Sequence, residues 1–337
     1  MSCSAIRVAA RPRLSRSYIP APRKVWQENV FGETTTTRRH QHHAQVLEHQ
    51  RRHGGSRGRS SSSRLRAPRC APREPELAAA RVVSSLAADA AGTLRRVSID
   101  VPGGGCAAPG QFVQVKVDAT DKPAFMAIAS PPPSSERLEL LVSAGGGETA
   151  KKLASCATGE SVLVSAAMGD GFRLGSRAPA SETSVVFVFA TGSGLSPIKA
   201  LIEASGEDGG LDAGSRKKTT LLYGCKSPAH LPFIDDDFAV WRAFREKFGI
   251  DEVVVACSGG APTGDECEQA SALGLRFEEG YVQHVFKKHA DDYMSGVNVG
   301  SGDDVAVVLC GQKEMCGDVT AAFDELGISQ DKMLFNF

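Results

Sequence analysis

The sequence predicts an antiparallel β-barrel followed by a doubly wound, parallel-sheet α/β domain, both behind a basic N-terminal segment. The 337-residue chain has no net charge, but residues 1–75 carry 16 Lys and Arg against 4 Asp and Glu, and the remainder carries 23 against 35. Short strands separated by Gly and Pro are typical of barrels, whereas strands alternating with helices indicate a parallel sheet. We therefore place three regions at 1–77, 78–178 and 183–337.

The first region resembles an organelle transit peptide. It is rich in Arg, Ser and Thr, includes the run Ser60 to Ser63, and is poor in acids, as transit peptides are. A basic tail that contacts nucleic acid or membrane is the alternative, but we expect no nucleic-acid partner. No stretch approaches the about 18 apolar residues that a membrane span requires, so no transmembrane segment is predicted.

The second region predicts a barrel because strands follow one another at short intervals. Residues 111–117 alternate apolar and polar side chains, which is typical of a strand with one buried face. A glycine run opens one predicted helix at 148–156. The predicted strands are 94–101, 111–117, 137–143 and 161–165.

The third region predicts a parallel sheet. Residues 185–189 are uninterruptedly apolar, as expected of a strand buried on both faces. The remaining predicted strands are 219–223, 252–256 and 305–309, and the predicted helices are 197–204, 236–248, 282–288 and 313–326.

Two glycine motifs at strand ends carry the predicted chemistry. Residues 190–197 follow the first parallel strand and contain Gly192, Gly194 and Pro197. Such glycines let a backbone approach a pyrophosphate at a helix start, although a tight turn without a ligand is the alternative. Cys310 and Gly311 end a later strand, where open α/β sheets bind ligands. Cys310 is therefore the candidate catalytic residue, or else a small buried thiol.

No metal site is predicted. The nine cysteines lack the spacing of zinc or iron–sulfur ligands. Asp235 to Asp237 are more typical of a solvated helix start. Histidines 230, 284 and 289 have no metal-ligand spacing.

Seven segments in the same order resemble the ferredoxin–NADP reductase superfamily, across residues 80–337. These are 111–113, 128–130, 146–149, 191–197, 223–226, 281–283 and 310–315. The resemblance implies that the barrel holds FAD and that the parallel-sheet domain binds NAD(P)H. The cofactors would carry a hydride from nicotinamide to flavin and then single electrons to a protein acceptor.

The resemblance also assigns cofactor contacts. Gly147, Glu148 and Thr149 would meet the FAD pyrophosphate, Thr191, Gly192 and Gly194 the nucleotide pyrophosphate, and Cys310 and Gly311 the nicotinamide. Phe337 would stack on the flavin, or else be a frayed end. The other positions carried over are Phe125, Met126, Ile128, Ser130, Pro197, Gly224, Cys225, Ser258, Tyr281, Gln283 and Met315.

Two departures from the family pattern affect these expectations. The flavin motif Arg-x-Tyr-Ser reads Ala124 to Ala127 here, which removes an Arg–phosphate pair; flavin binding is then weakened, reorganised around Phe125, or lost. At the 2′-phosphate site Ser258 remains, but Gly259 replaces an Arg and Glu279 a Lys. A carboxylate repels a phosphate, so NAD(H) is slightly favoured over NADP(H), although Arg276 offers compensation.

The leading hypothesis is a flavin-dependent NAD(P)H oxidoreductase with an unidentified electron acceptor. Its net charge of −12 after residue 75 argues against an acidic ferredoxin. A non-catalytic nucleotide-binding or regulatory protein is the alternative, because the flavin motif is degenerate, and an electron-transfer subunit is a third. Because the pattern resembles plastid-targeted plant proteins, we expect the chloroplast, with the mitochondrion as the alternative.

Overall fold

A computed structural model describes residues 75–101, 105–134, 136–297 and 305–336, which all lie within one compact unit, Cys70–Phe337. Residues 1–74 of the predicted leader and Phe337 lie outside the described residues. Two six-stranded sheets dominate the described part. No helix in this part is long and apolar enough to cross a membrane.

The first sheet is antiparallel, with strand order β4-β3-β6-β1-β2-β5. After β4, a bridge between Ile128 and Leu140 and the hydrogen bond from Ala129 N to Glu139 O bring its two edges together. The sheet is therefore a nearly closed barrel, as predicted. Its strands are β1 (Leu77–Ala87), β2 (Leu94–Asp100), β3 (Phe112–Lys116), β4 (Ala124–Ala127), β5 (Arg137–Ser143) and β6 (Ser161–Ser165).

The barrel interior follows from the alternation of apolar side chains along each strand. Val113 and Val115 of β3, for example, are fully buried, while the residues between them are half-buried. Helix α1 (Glu148–Ser155) closes one end of the barrel with Leu153. A second short helix, α2 (Leu174–Arg177), precedes the second sheet.

The second sheet is parallel, with strand order β10-β9-β8-β7-β11-β12. Its strands are β7 (Val185–Thr191), β8 (Lys218–Cys225), β9 (Glu252–Cys257), β10 (Leu275–Glu279), β11 (Val305–Cys310) and β12 (Met333–Phe335). The helices are α3 (Leu195–Glu203), α4 (Asp235–Glu246), α5 (Asp265–Ala272), α6 (Val282–Lys288), α7 (Ala290–Tyr293) and α8 (Lys313–Glu325).

The chain reverses direction across this sheet between β7 and β11. From β7 it proceeds outward through β8, β9 and β10, and then returns to the other side of β7 as β11. Such a reversal opens a crevice at the carboxyl ends of the strands, where doubly wound proteins bind ligands. The predicted motifs after β7 and β11 flank this crevice.

Alternate residues of β7 pack on opposite faces, which explains its uninterrupted apolar sequence. Val186 and Val188 contribute to one hydrophobic core, and Phe187 and Phe189 to the other. In the second core these two rings contact Phe286 and Phe323. Because both faces are covered, the sheet is a rigid support for its carboxyl edge.

Candidate functional site

A cavity of about 800 Å³, here called the central cavity, lies between the barrel and the carboxyl edge of the parallel sheet. One wall comes from the barrel, and the other from the ends of β7, β8, β11 and β12. The barrel wall includes Thr93, Leu94, Phe112, Phe125, Met126, Ala127, Leu141 and Ser143. The opposite wall comprises Thr191, Gly192, Ser193, Gly194, Tyr223, Cys225, Lys226, His230, Cys310, Gly311, Gln312 and Asn336.

A second cavity of about 600 Å³, here called the side cavity, extends from the central one to the start of α1. The two share five lining residues: Phe125, Met126, Leu141, Ser143 and Ser193. They therefore form one elongated cleft along the barrel. Its length suits an extended ligand rather than a small metabolite.

Helix α3 holds the barrel and the parallel sheet together along this cleft. The Ser196 hydroxyl donates to Ala127 O at 2.7 Å and accepts from Leu141 N at 3.3 Å. Beneath it, the buried Lys199 ammonium lies 3.2 Å from Glu139 of the barrel and 2.7 Å from Glu203 of its own helix. Breaking such a buried ion pair is strongly destabilising, so these contacts keep the two walls in register.

Strand β4 carries the altered flavin motif along the cleft. The Phe125 side chain is 64% exposed, an unusual state for a large apolar ring. It lies 5.8 Å from the Phe112 ring, centroid to centroid. Met126 and Ala127 line the same wall. An exposed ring beside a cleft suits stacking on a planar ligand.

The side cavity ends at backbone groups rather than at a fixed cation. Gly147 caps α1 without a side-chain hydrogen bond, and a Cβ at Gly147 would meet nothing within 4 Å. The first turn of the helix thus borders the side cavity without a side-chain cap, as at anion sites. The Thr149 hydroxyl is already donated to Lys122 O at 2.7 Å. Exposed Lys122 also lines this cavity.

On the opposite wall, the loops after β7 and β11 interlock so closely that glycine is required. A Cβ at Gly194 would lie 2.4 Å from Cys310 O, and one at Gly311 would lie 2.1 Å from the Thr191 hydroxyl. That hydroxyl accepts a hydrogen bond from Gln312 N at 2.9 Å. The predicted glycines are therefore brought together, and each permits a backbone contact that a side chain would block.

Cys310 lines the central cavity as a protonated thiol. Burial raises its pKa to about 12, with a smaller contribution from Cys316. A thiolate nucleophile is therefore not available at neutral pH. The Tyr223 hydroxyl, whose pKa burial also raises, contacts Gly192 O at 3.2 Å and supports the glycine loop from beneath.

Arg276, which offered compensation at the predicted 2′-phosphate site, has its partners elsewhere. Its guanidinium lies 3.3 Å from Glu252 and hydrogen-bonds the Tyr293 hydroxyl. Side chains alternate along β10, so Arg276 and the exposed Glu279 point to opposite faces of the sheet. Ser258 is exposed, and its hydroxyl donates to Cys225 O at 3.4 Å.

Several predicted contacts lie in the packing around the cavities instead of lining them. Ile128 and Met315 are core residues, and the buried Gln283 amide donates to Asp318 at 3.3 Å. The Ser130 hydroxyl accepts from Glu139 N, and Pro197 is buried in α3. Gly224 is not a lining residue either; a Cβ there would lie 3.0 Å from Thr191 Cγ2. Tyr281 is 54% exposed at the start of α6.

Many lining residues were not predicted, and five of them carry side chains suited to contact a ligand: Phe112, Lys122, Lys226, His230 and Asn336. Lys226 belongs to a segment that carried the resemblance, so its position offered a signal. Phe112 also belongs to such a segment, 111–113, but it was interpreted only as part of a strand. Nothing in the sequence distinguishes Asn336 from other terminal residues.

No protein-family model and no curated protein matches this sequence. Solved structures do. A ferredoxin NADP+ reductase from Neisseria gonorrhoeae with bound FAD and NADP matches with a TM-score of 0.59 and 15% identity, covering 78% of this chain and 100% of that one. The fold is that of the ferredoxin–NADP reductases.

Two further matches extend the comparison to other reductases of this fold. The CS-b5R domains of human Ncb5or, in an NAD+ form, match with a TM-score of 0.58 at 16% identity, over 79% of this chain and 71% of that chain. The cytochrome b5 reductase domain of Ulva prolifera nitrate reductase matches with a TM-score of 0.55 at 13% identity, over 77% and 97% respectively.

The cleft fits a flavin dinucleotide and a nicotinamide nucleotide in general terms. The exposed Phe125 ring suits an isoalloxazine, and the open space beside Gly147 suits a pyrophosphate. On the other wall the Gly192–Gly194 turn leads into α3, so its backbone suits a second pyrophosphate. The chain thus has places for both groups despite its altered flavin motif.

Proposed function

We propose that this protein is a flavin-dependent NAD(P)H oxidoreductase that passes electrons to an acceptor not yet identified. The observation that carries the proposal is the continuous cleft, which joins a stacking ring and an uncapped helix start on one wall to an interlocked glycine turn on the other. When bound there, a flavin would accept a hydride from a nicotinamide and release electrons singly.

In this proposal the barrel residues hold and orient the flavin. Phe125 stacks on the ring, and the N–H groups after Gly147 bind the pyrophosphate. Lys122 supplies a positive charge, since Ala124 cannot. A flexible lysine gives less geometric specificity than a bidentate arginine, so we expect reversible flavin binding.

The residues of the opposite wall position the nicotinamide nucleotide. The Gly192–Gly194 turn binds its pyrophosphate, and Cys310 with Gly311 contacts the nicotinamide ring. Because the Cys310 thiol stays protonated, it is a neutral contact that holds the ring against the flavin. We assign it no covalent step.

We also propose a preference for NAD(H) over NADP(H). The exposed Glu279 disfavours a 2′-phosphate, Gly259 offers no cation, and Arg276 faces the other side of the sheet. Lys226, which lines the central cavity, is a cation that would favour NADP(H). We expect NADH to bind more tightly by about tenfold, or about 1.4 kcal/mol.

A non-catalytic nucleotide-binding protein is not favoured, because the three solved structures compared above come from reductases. The acceptor is a separate question. The net charge of −12 after residue 75 leads us to propose an acceptor other than an acidic ferredoxin, since like charges slow encounter. Steady-state assays with ferredoxin and with cytochrome c compare these directly; rapid ferredoxin turnover would refute this part.

An absorbance spectrum of the purified chain tests the main proposal. We expect flavin bands, either as purified or after reconstitution with FAD, that bleach faster with NADH than with NADPH. Flavin released by denaturation identifies FAD or FMN. A colourless protein that flavin cannot reconstitute, yet that binds NADH, would instead support a regulatory nucleotide-binding role.

We further propose that residues 1–77 direct the protein to the chloroplast, with the mitochondrion as the alternative. The proposal rests on their Arg, Ser and Thr content and scarcity of acids. A fluorescent fusion of residues 1–80, imaged with markers for both organelles, decides between them. A cytosolic signal would contradict both.

A further inference from the structure

Asn336 is a buried polar side chain that faces the central cavity without a partner. Its side chain is 2% exposed and lines the cavity. Neither the amide oxygen nor the amide nitrogen has a hydrogen-bond partner among the described residues. A buried amide that hydrogen-bonds nothing lowers the stability of a folded protein. Such a group is expected to have a ligand.

The position of Asn336 follows from strand pairing. Phe335, the last residue of β12, pairs with Leu309 of β11, so Asn336 comes next to Cys310. Leu334 belongs to the same core as Cys310. Because side chains alternate along a strand, Asn336 lies on that same face. It therefore meets the cavity beside the two residues proposed to contact the nicotinamide, Cys310 and Gly311.

The hydrogen-bonding capacity of an amide defines the class of ligand. Its oxygen accepts, and its nitrogen donates two hydrogens. A ligand that satisfies both must present a donor and an acceptor side by side, as a primary carboxamide or a cyclic imide does. A phosphate offers only acceptors, and an apolar group offers neither. The neighbouring Thr191 hydroxyl already accepts from Gln312 N.

We propose that Asn336 forms a subsite for an amide or imide edge, which is present both in the carboxamide of nicotinamide and in the pyrimidine edge of a flavin. The inference rests on the proposed function, because it assigns a further contact in the same cleft. The inference predicts that Asn336 contributes to ligand binding and lowers the stability of the ligand-free protein.

Thr220 provides a matched control. Its hydroxyl is also buried and also lacks a partner among the described residues, but Thr220 lies within β8 and does not line the cavity. Thr220→Val removes that hydroxyl at nearly constant shape. We expect it to leave the affinities for NAD(P)H and flavin unchanged.

The test compares Asn336→Leu with Thr220→Val in the full-length chain. We expect Asn336→Leu to unfold, without ligand, at the same temperature as the wild type or above it. Its affinity for one of the two ligands should fall by about tenfold, the equivalent of one to two hydrogen bonds. If Asn336→Leu unfolds at a lower temperature than the wild type and binds both ligands with unchanged affinity, Asn336 is a structural residue and the inference fails.

Ligand analogues identify which edge Asn336 binds. If it binds the nicotinamide, the wild type should prefer NAD+ to its 3-acetylpyridine analogue, which lacks the amide N–H, and Asn336→Leu should not. If it binds the flavin, the wild type should bind flavin more tightly than N3-methylated flavin, and Asn336→Leu should not. Should both proteins discriminate equally in both series, the subsite is refuted. Wild-type protein that binds neither nucleotide nor flavin would refute the proposed function first, and this inference with it.

Discussion

The two walls of the central cavity achieve their shape by different means. The wall formed by the strand ends of the parallel sheet is defined by backbone: Gly194 and Gly311 lie where any Cβ would overlap a neighbouring loop. The barrel wall relies on side chains, chiefly the exposed Phe125 ring, and continues into the side cavity with Lys122. Backbone sites demand particular residues, whereas side-chain sites can be rebuilt with others. We therefore expect substitutions at these glycines to be tolerated less well than substitutions at Phe125 or Lys122.

The largest expected effect concerns Lys199, which joins the walls. Lys199→Met keeps the length of the side chain but leaves Glu139 and Glu203 buried without their shared cation. We expect a loss of about 3–5 kcal/mol in the free energy of unfolding, measured with denaturant. Adding Glu139→Gln to Lys199→Met should restore part of that loss. If Lys199→Met alone costs less than about 1 kcal/mol, the ion pairs do not hold the walls together.

Gly311→Ala tests the backbone-defined wall. The new Cβ would overlap the Thr191 hydroxyl and break its hydrogen bond with Gln312 N. Because the overlap displaces the loop proposed to contact the nucleotide, we expect NAD(P)H affinity to fall by about 100-fold, or about 2.8 kcal/mol. Gly317→Ala in α8 is the control, since its Cβ meets nothing within 4 Å. Similar affinities for the two variants would contradict the interlocked-loop interpretation.

Acid titration should reveal the charge cluster between the walls. Burial alone would raise the pKa of Glu139, but Lys199 and Arg96 bring it below its usual value. The stabilisation from Glu139 is therefore complete above its unfolded pKa and is lost as the pH falls through its lower, folded pKa. We expect the stability difference between wild type and Glu139→Gln to be largest near neutral pH and to shrink in acid.

Glu203 supplies the control for this titration because its shift has the opposite sign. Burial raises the pKa of Glu203 despite its contact with Lys199. Its ionisation therefore weakens folding, and the wild type should lose stability relative to Glu203→Gln as the pH rises through that pKa. If the stability difference from the wild type changes with pH in the same way for Glu139→Gln and Glu203→Gln, the assigned directions of the two pKa shifts are wrong.

The side-chain wall should respond more mildly. Phe125→Ala removes the exposed ring, and a ring contact of this kind contributes about 0.5–1.5 kcal/mol, so flavin affinity should fall by about three- to tenfold. Leu86→Ala is the control, because Leu86 is similarly exposed at 53% but lines neither cavity. Flavin quenching titrations measure both. Equal affinities would show that the ring does not contact the flavin.

The same contrast between backbone and side chains governs what the sequence predicts. Strands with clear alternation, such as β5 (Arg137–Ser143), were predicted to the residue. Strand β1 (Leu77–Ala87) was not, since its alanines and serines give no apolar period. It forms by pairing with β2 and β6 and by burying Ala80 and Val82 in the barrel core. Glycine motifs located the loops that line the central cavity at the strand ends. Asn336 and Lys122 join the site only through tertiary contacts, which no local pattern reveals.

The smallest expected effect concerns a pair of thiols on the nucleotide side. Cys225 and Cys257 are register partners on β8 and β9, and strands that pair lie about 4.8 Å apart, within the range that a disulfide spans. The hydrogen bond between them, together with burial, raises the pKa of Cys225. The same hydrogen bond lowers the pKa of Cys257, against the opposing effect of burial. In the barrel, by contrast, Cys106 and Cys156 donate to backbone carbonyls.

We therefore expect a low-molecular-weight disulfide to oxidise Cys225 and Cys257 selectively. The reagent reaches the pair at the cavity, which Cys225 lines. One thiol of the pair forms a mixed disulfide with the reagent and the other then displaces the small thiol, so that one disulfide forms in the protein while the reagent is reduced to two thiols. Peptide mapping without reductant should find this link in wild type and in Cys267→Ser but not in Cys257→Ser. Because the link draws together strand ends next to Lys226, NADH affinity should change by only a few fold. Oxidation of Cys106 or Cys156 before this pair would contradict the expected difference between the barrel thiols and the paired thiols of the parallel sheet.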